Sequence, residues 1–117
     1  MIFIVDDDSA ICDSLSFLLS CEGLLSQAFA SAEQFLETSV VTDGDFLVTD
    51  LNLPGMSGLE LLETVRRRGL DLPVVLMTAQ ATPRLRQRAF DAGAAAFLEK
   101  PLKDAEILSL IRNSRVP

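Results

Sequence analysis

Three consecutive carboxylates, Asp6, Asp7 and Asp8, follow one apolar run directly, and Asp50 ends another. Carboxylates about 5 Å apart repel by roughly 3 kcal/mol per pair at an effective dielectric of about 20, so a shared pocket asks for a cation. Every candidate ligand is an oxygen, which favours Mg²⁺ or Mn²⁺ over zinc or copper. The chain has no histidine. That removes the usual general base, the commonest imidazole ligand and any phosphohistidine chemistry on the chain itself. Thr78 and Lys100 end two further apolar runs. A hydroxyl there can hydrogen-bond a phosphoryl oxygen, and an ammonium can neutralise developing phosphoryl charge.

Each residue also has a plainer reading. Acids are favoured at a helix N-terminus, so Asp6 to Asp8 suit a solvated, capping turn. Asp50 opens an Asp-Leu-Asn-Leu-Pro-Gly run that is ordinary turn chemistry. A threonine suits a strand, and a surface lysine commonly snorkels. What separates the two readings is whether the four positions converge in space.

The elements that must position them are legible in the apolar pattern. Ile2 to Val5, Phe46 to Thr49, Val74 to Met77 and Ala95 to Leu98 read as buried strands. Leu24 to Phe29 carries Ser26 and Gln27 in its middle and belongs at a sheet edge. Between them, Ile11, Leu15, Leu18 and Leu19 form one helical face that Gly23 terminates. Ser31 with Gln34, and Ser57 with Glu60, have capping-box spacing. Thr82 and Pro83 suit an N-cap and first helical position, with Leu85, Ala89 and Ala92 on one face and Gly93 closing the helix. A last helix is expected from Asp104 to Asn113, burying Ile107, Leu110 and Ile111, with Lys103 an unremarkable cap.

Strand and helix thus alternate five times, which predicts an α/β fold: a five-stranded parallel sheet with helices on both faces, doubly wound like a flavodoxin. In the order 2-1-3-4-5 the first and third strands are neighbours from which the chain departs in opposite directions. Ligands of open α/β sheets bind in that crevice, outside the carboxyl ends of the strands. Asp6, Asp7 and Asp50 would share it, with Thr78 and Lys100 on the same rim.

The bulk properties bound the function. A chain of 117 residues, 49% hydrophobic and 23% charged, suits one packed domain. No apolar run approaches the length of a membrane span, and a strand-like start in place of a signal peptide predicts a cytoplasmic protein. Cys12 and Cys21 fall on opposite faces of one helix and should not pair. A net charge of −7 opposes direct DNA binding, and Arg66 to Arg68, at a helix end where cations suit the macrodipole, call for no ligand.

The set Val5-Asp6-Asp7-Asp8, Asp50-Leu51-Asn52-Leu53-Pro54-Gly55-Met56-Ser57-Gly58, Thr78-Ala79 and Lys100-Pro101 resembles the receiver domains of two-component response regulators. The match spans essentially the whole chain. Any one piece is weak, but the order is specific: Thr78 follows Asp50 by 28 positions and Lys100 follows Thr78 by 22. Ser31 to Leu36, Val48 to Leu51 and Phe97 to Pro101 look most like receivers of the FixJ type, which usually precede a helix-turn-helix domain.

The resemblance implies that Asp50 is the phosphoacceptor, taking a phosphoryl group from the phosphohistidine of a sensor kinase or from a small phosphodonor. It implies Mg²⁺ held by the side chains of Asp7 and Asp50, the backbone carbonyl of Asn52 and, through water, Asp6. Thr78 and Lys100 would hold phosphoryl oxygens, Phe97 would be the switch aromatic, and the Lys100–Pro101 bond would be cis. Asn52 and Gln80 stand where receivers tune the lifetime of the phosphoaspartate. Lys103 departs from the family's usual capping acid or asparagine, and a third acid, Asp8, follows the usual pair. The domain, residues 1–117, would be the N-terminal part of a longer regulator, with Asn113 to Pro117 opening a linker to an absent DNA-binding domain. A phosphorylation-dependent homodimer through the fourth helix, fifth strand and fifth helix is a further expectation. The alternatives are a phosphatase or phosphotransferase with an Asp nucleophile, for which Asn52 occupies the position of the second acid, and a receiver-like interaction module that is not phosphorylated.

Overall fold

The periodicities of the sequence are realised in order. A computed structural model describes residues 1–38 and 41–114. Its elements are β1 (Ile2–Val5), α1 (Ser9–Cys21), β2 (Ser26–Phe29), α2 (Ala32–Glu37), β3 (Phe46–Asp50), α3 (Gly58–Arg67), β4 (Val74–Thr78), α4 (Pro83–Asp91), β5 (Ala96–Glu99) and α5 (Asp104–Ser114). All strand pairs are parallel, in the order β2-β1-β3-β4-β5. No described helix is long and apolar enough to cross a membrane.

Alternate strand residues face opposite sides of a pleated sheet, and the core divides accordingly. Ile2, Ile4, Phe46, Val48, Val75, Met77, Ala96 and Leu98 pack with Cys12, Leu15 and Leu19 of α1 and Ile107, Leu108 and Ile111 of α5. Phe3, Val5, Leu47, Val74, Leu76 and Phe97 pack on the other face with α2, α3 and α4. Both faces of the central strands are covered, which is why these strands read as continuous apolar runs. Each fully buried Leu, Ile or Val contributes roughly 1.5–3 kcal/mol, and the four residues Val74 to Met77 are 0% exposed.

The helix starts follow the caps. Ser57 and Glu60 form the complete reciprocal box, and the Thr82 hydroxyl accepts the Leu85 N–H with Pro83 in the first turn. The other expected box is only half present: Ser31 accepts the Gln34 N–H, but the Gln34 side chain accepts from Ala30, one residue earlier. Gly93 has φ +102° just beyond α4 and turns the chain back toward β5. In α5 the buried leucine is Leu108 and not the expected Leu110, which is only partly covered, and the helix continues through Asn113 and Ser114. The remainder of the expected linker, 115–117, lies outside the described residues. β2 is two residues shorter than its apolar run and Ala95 falls just before β5. Cys12 is buried, Cys21 is exposed, and both are free thiols.

Candidate functional site at the sheet edge

The pleat decides which chemistry-bearing side chains meet. Asp6 continues the β1 ladder by donating its N–H to the Phe29 carbonyl, so it falls on the same side as Ile2 and Ile4. Asp50 ends β3 two residues beyond Val48, and Lys100 stands two beyond Leu98, with its N–H on the Thr78 carbonyl. All three acidic and basic groups thus emerge on the α1–α5 side. The Lys100 Nζ donates to Asp6 Oδ2 at 2.8 Å and pairs with Asp50 Oδ2 at 3.3 Å. Carboxylate oxygens of Asp6, Asp7 and Asp50 lie within 4.8 Å of one another. The acids and the lysine therefore converge at the ends of β1, β3 and β5.

Burial sets the electrostatics. Asp6 is 1% exposed and Asp50 6%, whereas Asp7 faces solvent. Burial pushes the Asp50 carboxyl above the usual aspartate range. The Asn52 N–H and the Lys100 ammonium oppose that rise, and Asp6 adds to it. Burial alone would lower the Lys100 ammonium, but its hydrogen bond to Asp6 and the charge of Asp50 outweigh that and leave it raised. The lysine is thus firmly cationic, and two buried acids share it.

Asp8 has a different task. Its carboxylate accepts the Ala10 N–H as the N-cap of α1, while its own N–H binds Asp6 Oδ1 at 2.9 Å. The capping reading of the acidic run is correct for Asp8, and the site reading fits Asp6 and Asp7. The donor set is all oxygen, since the Cys12 thiol donates to the Asp6 carbonyl and burial pushes its pKa up. Three carboxylate oxygens at this spacing suit one hard divalent cation with water completing its shell.

Thr78 has the opposite parity. It follows Val74 and Leu76 onto the α2–α4 side and is 0% exposed. Its Oγ1 accepts the Asn52 side-chain amide and the Gln80 N–H, each at 3.2 Å. Both lone pairs are then used, leaving the hydroxyl proton as what it can offer a ligand. Asn52 also donates its N–H to Asp50 Oδ1 at 3.3 Å, so the β3–α3 loop touches the acid and the hydroxyl together. Phe97 is not in the pocket. It is 6% exposed, lies beside Leu76 in the register, and packs on Thr78's side of the sheet. The Lys100–Pro101 bond is cis. An apolar groove of about 470 Å³, lined by Ile11, Leu15, Leu18, Pro101 and Leu102 among others, runs from Lys100 along α1.

Two contributors carried weaker sequence signals. Gly58 opens α3 so close to β3 that a Cβ would overlap the Asp50 carbonyl. A glycine at a helix start behind a sufficient serine cap is the hint that backbone approach, not conformation, is its purpose. Arg66 donates to the carbonyls of Leu70, Leu72 and Gly93 at 2.8–3.0 Å and ties α3 to the approaches of β4 and β5. Arg66 is therefore no purely solvated cation, and contacts this distant in sequence leave no local pattern.

A doubly wound sheet with acids at its switch point, and a hydroxyl and a lysine at the ends of neighbouring strands, defines an α/β domain whose carboxyl edge suits a charged ligand. The chain belongs to the response regulator receiver domain family, whose pattern residues 2–112 match. It is 42% identical over 113 residues to the transcriptional regulatory protein FixJ of Azorhizobium caulinodans, covering 97% of this chain and 54% of that protein. It is 32% identical over 112 residues to the response regulator protein TodT of Pseudomonas putida, covering 96% of this chain and 49% of that one. The crystal structure of FixJ-N superposes with a TM-score of 0.87 at 34% identity, covering 97% of this chain and 91% of that chain. The chain spans about half the length of the curated relatives it matches.

Proposed function

We propose that Asp50 accepts a phosphoryl group from the phosphohistidine of a sensor histidine kinase and that the chain passes the event on by changing shape. The observation that carries this reading is the buried Asp50 carboxylate, held between the Lys100 ammonium at 3.3 Å and the Asn52 N–H at 3.3 Å beside Asp6 and Asp7. An Asp50 oxygen attacks phosphorus in line, the bond from phosphorus to the donor nitrogen breaks, and the donor imidazole leaves with the electron pair. Lys100 and the Thr78 hydroxyl proton take phosphoryl oxygens, and the apolar groove along α1 gives the donor protein a surface beside the acceptor.

Asp7 and Asp50 would hold Mg²⁺ with their side chains, Asn52 with its carbonyl, and Asp6 through water. Bound there, the ion screens the charge of the incoming group. The chain's only catalysis is of its own phosphorylation and dephosphorylation. Once Thr78 is drawn toward the phosphoryl group, Phe97 turns into the space it leaves and reshapes the α4–β5–α5 face. That face carries a hollow of about 410 Å³ lined in part by Phe90, Phe97, Leu98 and Leu110, and is the surface proposed for homodimerisation. By analogy with the transcriptional regulator FixJ, the output is transcription through a DNA-binding domain beyond this chain, in the cytoplasm.

Intact mass after incubation with a small acyl-phosphate donor tests the assignment. One phosphoryl adduct is expected on the wild type with Mg²⁺, and none with chelator or in Asp50→Asn. No adduct under any condition would leave an unphosphorylated interaction module.

A further inference from the structure

We infer that Glu33, on α2 and outside the pocket, is a positioning residue that fixes the β3–α3 loop in its ligand-holding shape. The inference rests on the proposed metal reading and extends it to a residue to which no role has been given. The loop leaves β3 at Asp50 and is pinned at its base by two backbone bonds, Leu51 N–H to the Met77 carbonyl and Gly58 N–H to the Leu51 carbonyl. Leu53 is buried beneath it. Two ties reach the segment between from other elements: the Asn52 amide on Thr78, and the Met56 N–H on Glu33 Oε2 at 3.2 Å.

Glu33 does more than accept one N–H. At Gly55 the chain adopts φ +76°, and a Cβ there would sit 2.5 Å from Glu33 Oε2. The carboxylate is therefore seated against bare backbone at a turn whose positive φ calls for glycine. With the loop strung between α2 and the end of β4, the direction of the Asn52 carbonyl is set from both sides. Without Glu33 the Met56 N–H turns to water and the far half of the loop has space to relax into, and a ligand held by a loop carbonyl suffers when the loop wanders.

Three chains would be compared: wild type, Glu33→Ala and Glu33→Gln. Mg²⁺ affinity would be measured by calorimetry, amide hydrogen exchange without metal, and stability by denaturant. Alanine should raise the Mg²⁺ Kd roughly threefold to tenfold, the scale of one ordinary hydrogen bond lost at an exposed position. It should also speed exchange at Met56 and its loop neighbours. Glutamine removes the charge but keeps an oxygen that can accept the Met56 N–H, so it should restore both within about twofold. A glutamine variant as weak as alanine would mean that bulk negative charge, not loop geometry, is at work, and would overturn the inference. So would an alanine variant identical to wild type in affinity and exchange. A wild type that takes up no Mg²⁺ at all would instead refute the metal reading itself, and the inference with it.

Discussion

At Asp50, burial raises the carboxyl, and the Asn52 N–H and Lys100 only partly pull it back. The unfolded chain gives up this proton at the ordinary aspartate value of 3.8, below the folded pKa. Between those two values the native state binds more protons, so this group's contribution to stability falls as pH rises through the window and stays lowered above it. Asp50→Asn removes the charge that burial disfavours. In the absence of divalent cation it should melt higher than wild type at pH 7, with the gap closing as pH drops below the folded pKa. Mg²⁺ should raise the wild-type melting temperature and move the variant much less. Calorimetric scans at several pH values decide it, and equal melting of the two proteins at pH 7 would contradict the electrostatic account. The acids, the threonine and the lysine were legible in the sequence because each ends an apolar run. The hydrogen bonds among Asn52, Thr78 and Gln80 were not, because they depend on loop geometry that no periodicity encodes.

The elements around the site are placed by close approach as much as by hydrophobic pattern. α3 begins where its first residue almost touches the backbone of Asp50, and Gly58→Ala must push either the helix or the acid aside. Overpacking of this kind costs about 1–3 kcal/mol. Urea unfolding should register that loss, and phosphoryl uptake by the same variant should fall because the displaced atom belongs to Asp50, the proposed acceptor. An unchanged stability would show that α3 slides at no cost. Strand positions, the edge location of β2 and the complete cap at Ser57 could be read in advance, since alternation and capping spacings are local. The half-formed cap at Ser31 and the exchange of Leu110 for Leu108 could not, because α2 spans a single pair of turns and the tilt of α5 is fixed by its neighbours.

For the molecule as a whole, two apolar layers lie on either side of the sheet, and the proposed switch alters the surface at one edge. Phe90 is 38% exposed, with the Arg86 guanidinium 5.2 Å from its ring centroid, at the margin of the α4–β5–α5 hollow. Phosphodonor should increase cross-linked dimer, and Phe90→Ala should reduce that increase without altering the adduct mass. A cross-linking pattern indifferent to phosphodonor would count against dimerisation through this face. The alternation of the pleat has a wider consequence. Asp6, Asp50 and Lys100 emerge on one side of the sheet and Thr78 and Phe97 on the other, one residue step apart. The sheet acts as a bulkhead, and at its rim Asn52 touches both sides, through Asp50 and Thr78. A donor docked along α1, as proposed, would leave the side of the sheet that carries α4 and Phe97 open to a reader of the signal, so that contacts made there could be redesigned apart from the donor's.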